Sequence, residues 1–402
     1  MKPAPLPFPE FIALFSLLTA LTALSIDAML PAFGVIADEF GLADGRQTQL
    51  IVLAFFAGMV VGDLIAGPVA DALGRKPTIL LGIGVFVLGC LIAISSDSMA
   101  MLLLGRVFQG FGAAGPKIAA RAMIRDQFKG DAMARIMSFV FMVFILVPML
   151  APIIGQAIML FAGWRAIFVM FLVIAIGAGT WLWLRQPETL LADKRIPLDG
   201  SMLLLNTGRF LRNSVAVPYT LASGCVFGAL MIYLSNAQTL IGEIYGAGER
   251  FPLYFALLSI GFGCSSYANG RMVMRFGARR LTQVALAGMA TLSLGFLGGA
   301  FLFGGVPPFP VFLAFCFCTF AALGLTFGNL NALAMEPLGD MAGLGASLVS
   351  GISALLAVGI ALAMGQFQDD TVFALSAGFL LCAALAFVCV RLVRLSPVRQ
   401  TV

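Results

Sequence analysis

The chain has 402 residues, 61% of them hydrophobic and only 11% charged, with a mean hydropathy of +1.03 and a formal net charge of +5. A soluble chain of this length carries about a quarter charged residues, so the composition excludes a water-borne globular protein and makes lipid the solvent. Histidine is absent, which excludes His-dependent hydrolase triads, H-E-x-x-H zinc sites and histidine proton relays.

The seven cysteines all lie in apolar runs and read as small buried hydrophobes rather than disulfides or metal ligands. No cofactor is implied, and the basic residues are spread along the chain rather than gathered into a nucleic-acid patch. A bilayer-crossing helix needs roughly 20 apolar residues, and twelve of them with short loops use up the sequence. The expected fold is therefore an all-α membrane protein of twelve transmembrane helices.

The chain begins with Lys2 and a proline-rich lead (Pro3, Pro5, Pro7, Pro9), unlike a cleaved signal peptide, so the first apolar run is expected to be retained. The apolar runs predict spans at 8–33, 47–70, 77–95, 99–124, 133–162 and 164–185, then at 213–242, 250–275, 280–304, 309–335, 341–365 and 370–394. The polar break RQPETLLADKRIPLDG (185–200) divides them six and six. This predicts an amino-terminal bundle over 1–185, a cytoplasmic linker over 186–212 and a carboxy-terminal bundle over 213–402. An echo supports two related halves, because RFGARRL (275–281) follows the eighth span as ALGRKPT (72–78) follows the second. Two such halves point to a transporter with its site near midplane. With both termini in the cytoplasm, 19 of the 24 Lys and Arg fall on that side, as the positive-inside rule requires.

The turn GDLIAGPVADALGRKP (62–77) joins two apolar runs and holds a carboxylate and two cations at a membrane face. Ionisable groups inside spans are costly and should face a cavity or a partner. Asp27, Arg106 and Lys117 are such groups. Asp27 and Arg106 lie at a similar depth, which leaves an ion pair between them open. Lys117 follows Arg106 by eleven residues and so returns to nearly the same helix face; it either lines a cavity or extends to the interface, with Asp63 at a depth to be its counter-charge. The second half supplies Asn236, Gln238, Asn269, Asn329 and Asn331 together with all five tyrosines, Tyr233 among them. Charged on one side and aromatic-polar on the other, these groups suit an amphiphilic small molecule. In VPMLAPIIGQ (147–156), Pro148, Pro152 and Gly155 predict a bent helix with a close neighbour.

Four stretches carry a family likeness: SIDAMLPAF (25–33), GPVADALGRKP (67–77), LLLGRVFQGFGAAG with RAMIRDQF (102–115, 121–128) and PMLAPIIGQ (148–156). With them the chain resembles a major facilitator of the drug:proton antiporter type, in the bicyclomycin/chloramphenicol resistance branch. The resemblance implies two pseudo-symmetric six-helix bundles and proton-coupled efflux of a small amphiphilic compound by alternating access. It implies proton and substrate binding at Asp27 and Arg106, a conformational latch at Asp71, Gly74 and Arg75, and an export-associated bend at Pro148, Pro152 and Gly155. Ala151 and Gln156 depart from the wider motif, and Asp63 and Lys117 are unusual for the branch. These departures keep open a second reading, a specific metabolite exporter or a proton symporter for a small solute, anions included. An intramembrane enzyme is excluded by the missing histidine and paired-Asp motif. The expected setting is a bacterial inner membrane, with lipid and a small-molecule substrate as partners, no nucleic acid, and a monomer.

Overall fold

The computed structural model describes residues 6–42, 45–128, 147, 150–195, 200–367 and 371–393. Among the described residues there is no strand. The helices are α1 (Phe8–Asp27), α2 (Phe33–Glu39), α3 (Gln49–Leu73), α4 (Arg75–Ile94), α5 (Met99–Gln127), α6 (Leu150–Ala162) and α7 (Arg165–Arg185). They continue as α8 (Gly200–Leu211), α9 (Ala216–Gln238), α10 (Phe251–Phe276), α11 (Ala278–Leu302), α12 (Phe309–Met335), α13 (Ala342–Gly365) and α14 (Phe373–Leu392). Ten helical stretches among the described residues are long and apolar enough to cross a membrane. α5 has the length, at 29 residues, but its glycines, alanines and charges keep it out of that set. The twelve-helix expectation also draws on 133–149, which lies almost wholly outside the described residues, as does Pro148.

Two helices depart from the spans expected from sequence. The first apolar run breaks at Ala28, passes through a single 3-10 turn at Leu30–Ala32 with Pro31 in its first positions, and resumes as α2. Proline lacks the N–H that a continuous helix would need there. The linker holds α8, whose leucines were read as part of a polar connection.

Contacts divide the chain into two compact units, residues 1–199 with 234–259, and residues 200–233 with 260–402. In the first, α5 packs tightly against α3 on one side and α4 on the other. Small residues make this possible: Gly58 faces the carbonyl of Val107, Gly110 that of Phe55, and Gly82 that of Gly112. Backbones approach closely at such points, where dispersion contacts replace the hydrophobic effect that lipid cannot supply. α7 is fastened at both ends. Glu39 accepts from Trp164 Nε1 and Arg165 Nη1, each at 2.6 Å. Glu10 accepts from Trp181 Nε1 at 3.0 Å and from the Arg185 guanidinium twice at 2.8 Å.

The echo between halves extends to atomic contacts. Gly74 (φ +113°) precedes α4 and Gly277 (φ +77°) precedes α11, a left-handed backbone that favours glycine. Two residues after the first glycine, Lys76 Nζ donates to the Trp183 carbonyl at the end of α7 (2.7 Å). Two residues after the second, Arg279 Nη2 donates to Val393 O just beyond α14 (2.7 Å). Cations at a helix C-terminus meet its free carbonyls and the negative end of its dipole.

Because a methyl at Gly110 would collide with the Phe55 carbonyl, Gly110→Ala should destabilise the chain by about 1–3 kcal/mol. Thermal unfolding in detergent reads this as a lowered midpoint. Gly84→Ala, where nothing lies within 4 Å, should leave the midpoint unchanged or raise it.

Candidate functional site

Apart from the two pairs that fasten α7, three groups of charge stand out among the described residues of the first unit. The outermost is built on the α3–α4 turn. Arg75 pairs through Nη1 with Asp71 and through Nε with Asp126 Oδ2 of α5 at 3.2 Å. Glu188, in the segment after α7, completes it: its carboxylate accepts from the backbone N–H groups of Arg75 and Lys76 at 3.1 Å each. It also accepts from the N–H groups of Thr189 and Leu190, at 2.7 and 2.9 Å. A carboxylate at the start of α4 satisfies helix donors that have no partner within the helix and meets the positive end of the dipole. Gly74 is required here twice over, by its φ and because a methyl would strike Glu188. Asp71, Gly74 and Arg75 are thus brought together in one assembly within the first unit. Asp126 and Glu188 were missed: Asp126 is the acid of RAMIRDQF and Glu188 that of the PETL stretch, and only the fold brings each to the turn.

The second group is the pair Asp63–Lys117, with Nζ 2.6 Å from Oδ2. Asp63 is fully buried on α3, and Lys117 on α5 is part-buried, its side chain 16% exposed. The thioether of Met59, one turn before Asp63, lies 3.8 Å from the same ammonium. The depth argument for this pair holds, and Lys117 reaches a carboxylate instead of extending to the interface. A buried pair of this kind gains little over an apolar isostere, yet breaking it by removing one partner leaves an uncompensated charge.

The third group is Asp27 and Arg106, which do not pair. Arg106 is fully buried and points at α3. Its Nε donates to the Ile51 carbonyl (3.2 Å), its Nη1 to Gln109 Oε1 (2.9 Å), and its guanidinium lies 4.7 Å from the centre of the Phe55 ring. Its Nη2 has no hydrogen-bond partner among the described residues. Gln109 is held in turn, its Nε2 lying 3.0 Å from Cys90 Sγ. Equal depth therefore did not produce a contact, because the Arg106 side chain turns toward α3. Asp27, 5% exposed, closes α1 at the negative end of its dipole, and no ion pair or hydrogen bond reaches it among the described residues. One residue on, the Ala28 carbonyl meets Gly155 of α6 where no side chain would fit. The close neighbour expected for Gly155 is thus the turn after Asp27, and Pro152 lies in the same helix.

In the second unit, Asn269 of α10 and Asn329 of α12 exchange two hydrogen bonds of 2.9 Å through their amides, and Asn329 also donates to Leu325 O. Tyr233 is buried edge-on to Phe320 at 4.9 Å. Asn331, two residues from Asn329, is exposed and lies apart from that amide pair. Asn236 is buried on the last turns of α9, in the stretch grouped with the first unit, and Gln238 ends that helix. Among the described residues no cluster of acids and cysteines could hold a metal ion.

The sequence matches the family model described as Major Facilitator Superfamily over residues 15–362. It is 31% identical to a bicyclomycin resistance protein homolog of Haemophilus influenzae over 357 residues, covering 85% of each chain. It is 25% identical to multidrug resistance protein D of Escherichia coli over 349 residues, again covering 85% of each. In structure it is similar to the human organic anion transporter MFSD10, with a TM-score of 0.74 at 18% identity over 97% of this chain and 100% of that one. A D-xylose–proton symporter gives a TM-score of 0.74 at 14% identity, covering 94% and 97%. At these identities the structural likeness establishes the fold alone.

Replacing Asp63 by Leu leaves Lys117 without its carboxylate and should cost about 3–5 kcal/mol, read as a loss of folded yield and of thermal midpoint. Asp63→Leu combined with Lys117→Leu should recover most of that loss. A double variant as unstable as the single one would show that the pair is not a self-balancing unit.

Proposed function

Because the chain belongs to the Major Facilitator Superfamily, a family of membrane transporters rather than enzymes, we propose that it exports a small amphiphilic organic compound in exchange for protons by alternating access. Relatives named for resistance to bicyclomycin and chloramphenicol support a compound of that kind. The ten apolar spans and the bacterial relatives support a multi-pass place in a bacterial inner membrane.

The observation that carries the coupling is Asp27, a buried carboxyl without a partner among the described residues, at a helix break against α6. An isolated carboxylate out of water is costly, and taking a proton removes its charge. Protonation from outside would release the exported compound, and loss of the proton to the cytoplasm would reset the site. Arg106 contributes a fixed positive charge with one guanidinium nitrogen to spare, able to hold a polar group of the compound while Asp27 changes state. Tyr233, Asn236, Gln238, Asn329 and Asn331 would supply aromatic and amide contacts, and Lys117 takes part as half of a neutral pair. Asp71, Gly74 and Arg75 would brace one state of the cycle, with Pro152 and Gly155 shaping the helix beside Asp27. The two six-helix bundles, 1–185 and 213–402, would be the halves that alternate around the linker.

The rival reading, a specific metabolite exporter or a proton symporter for a small solute, anions included, rested on Asp63 and Lys117 as departures from the branch. These two residues pair with each other at 2.6 Å, which leaves Lys117 less available to an anion and weakens that support.

In proteoliposomes, a pH gradient imposed acid outside should drive movement of chloramphenicol or bicyclomycin opposite to the proton. Asp27→Asn should abolish the gradient-driven component while the protein keeps its elution volume and thermal midpoint. Full gradient-dependent transport by that variant would remove Asp27 from the coupling, and flux in the same direction as the proton would favour the symporter.

A further inference from the structure

The helix α8 is too short to cross a bilayer and too apolar to stand in water. Its 12 residues extend about 18 Å at 1.5 Å per residue, against a hydrocarbon core of about 30 Å. Phe210 is buried, on a helix that packs on α13. Leu204 and Leu211, two turns apart on one strip, are 77% and 59% exposed, while Leu205, also exposed, stands about 100° further round the helix. Around the helix from that strip stand Arg209 and, just past the last turn, Arg212, both exposed.

The position of α8 along the bilayer normal follows from its neighbour. Only residues 212–215 separate it from α9, a span that starts at Ala216. Four residues reach about 13 Å at most. Asn213 shortens the link further, accepting the N–H groups of Val215 and Ala216 at 3.0 and 2.9 Å to start α9. The end of α8 is thus held at headgroup level, on the membrane face that also carries Arg275, Arg279 and Arg391.

We propose that α8 lies in the membrane interface and is a binding surface for anionic phospholipid. Its leucines seat among the upper acyl carbons, and Arg209 and Arg212 reach the phosphate groups. A helix with an exposed leucine strip and arginines along one side of it is held by apolar burial together with attraction to anionic lipid. Long arginine stems let the cation stay at the phosphate level while the helix backbone sits lower. The inference does not depend on the transported compound or on proton coupling.

The test uses the full chain in nanodiscs with Leu204→Trp as reporter, its signal taken as the difference from the parent. Phosphatidylcholine brominated on the upper acyl carbons should quench the added tryptophan, and aqueous iodide should not. As a minor component, brominated phosphatidylglycerol should quench more than brominated phosphatidylcholine at the same fraction. That preference should fall by about five-fold for each arginine removed by Arg209→Gln and Arg212→Gln. Both changes are on an exposed surface, and an unchanged midpoint in neutral lipid confirms folding. Quenching by iodide and not by lipid would overturn the proposal in favour of a water-facing helix or a soluble protein partner. Lipid quenching with no preference for phosphatidylglycerol, or a preference that survives both substitutions, would overturn the anionic-lipid assignment.

Discussion

Close backbone contact along α5 is the condition that lets this chain keep charge inside a membrane. Glycines on α3, α4 and α5 bring three helices together near Phe55, Gly82 and Val107. That approach excludes lipid from the faces that carry Arg106 and Lys117. A polar group in oil must be satisfied from within, and only a neighbour at backbone distance can do this for a guanidinium. Arg106 accordingly uses the Ile51 carbonyl, an acceptor that an ordinary side chain at the contact would hold out of reach. The same stripe of small residues, with the charges it shelters, makes α5 less apolar than the helices on either side of it.

The charges sort by whether they are balanced. Asp63 and Lys117 neutralise each other, and Arg75 is enclosed by Asp71 and Asp126 with Glu188 on the adjoining N–H groups. Glu10 and Glu39 tie the two ends of α7. Each of these carboxylates is held by a cation or by N–H donors, which resists a change of state. Asp27 and Arg106 are different, both buried, each with capacity left over and not joined to one another. Coupling a solute to a proton needs a charge whose balance can change, which is why the proposed mechanism rests on these two and not on the better-paired groups.

How much of this the sequence showed depended on the range of the interaction. Spans were legible because twenty apolar residues in a row admit one reading in lipid. Two positive-φ glycines followed by cations, at Gly74 and Gly277, were legible as an echo because the signal is local. Asp63–Lys117 could be anticipated because depth along two neighbouring helices can be counted. The same counting failed for Asp27 and Arg106, because depth does not say which way a side chain turns around its helix. Glu10, Glu39 and Glu188 escaped notice because their partners lie over a hundred residues away and a lone acid at a helix end has no periodicity. α8 was hidden by its setting, since GSMLLLNTGRFL has a helical apolar face but stands among prolines and charges that read as a loop.

The proposed coupling requires that Asp27, a buried carboxyl with no partner among the described residues, can gain and lose a proton. Infrared difference spectroscopy of the protein in lipid between low and high pH tests it most directly, by the carbonyl stretch of a protonated carboxyl in dry surroundings. Such a band should be present in the parent, be lost as the pH is raised and be missing from the spectrum of Asp27→Asn. A band that persists unchanged in that variant, or a parent that shows none at any pH, would contradict it.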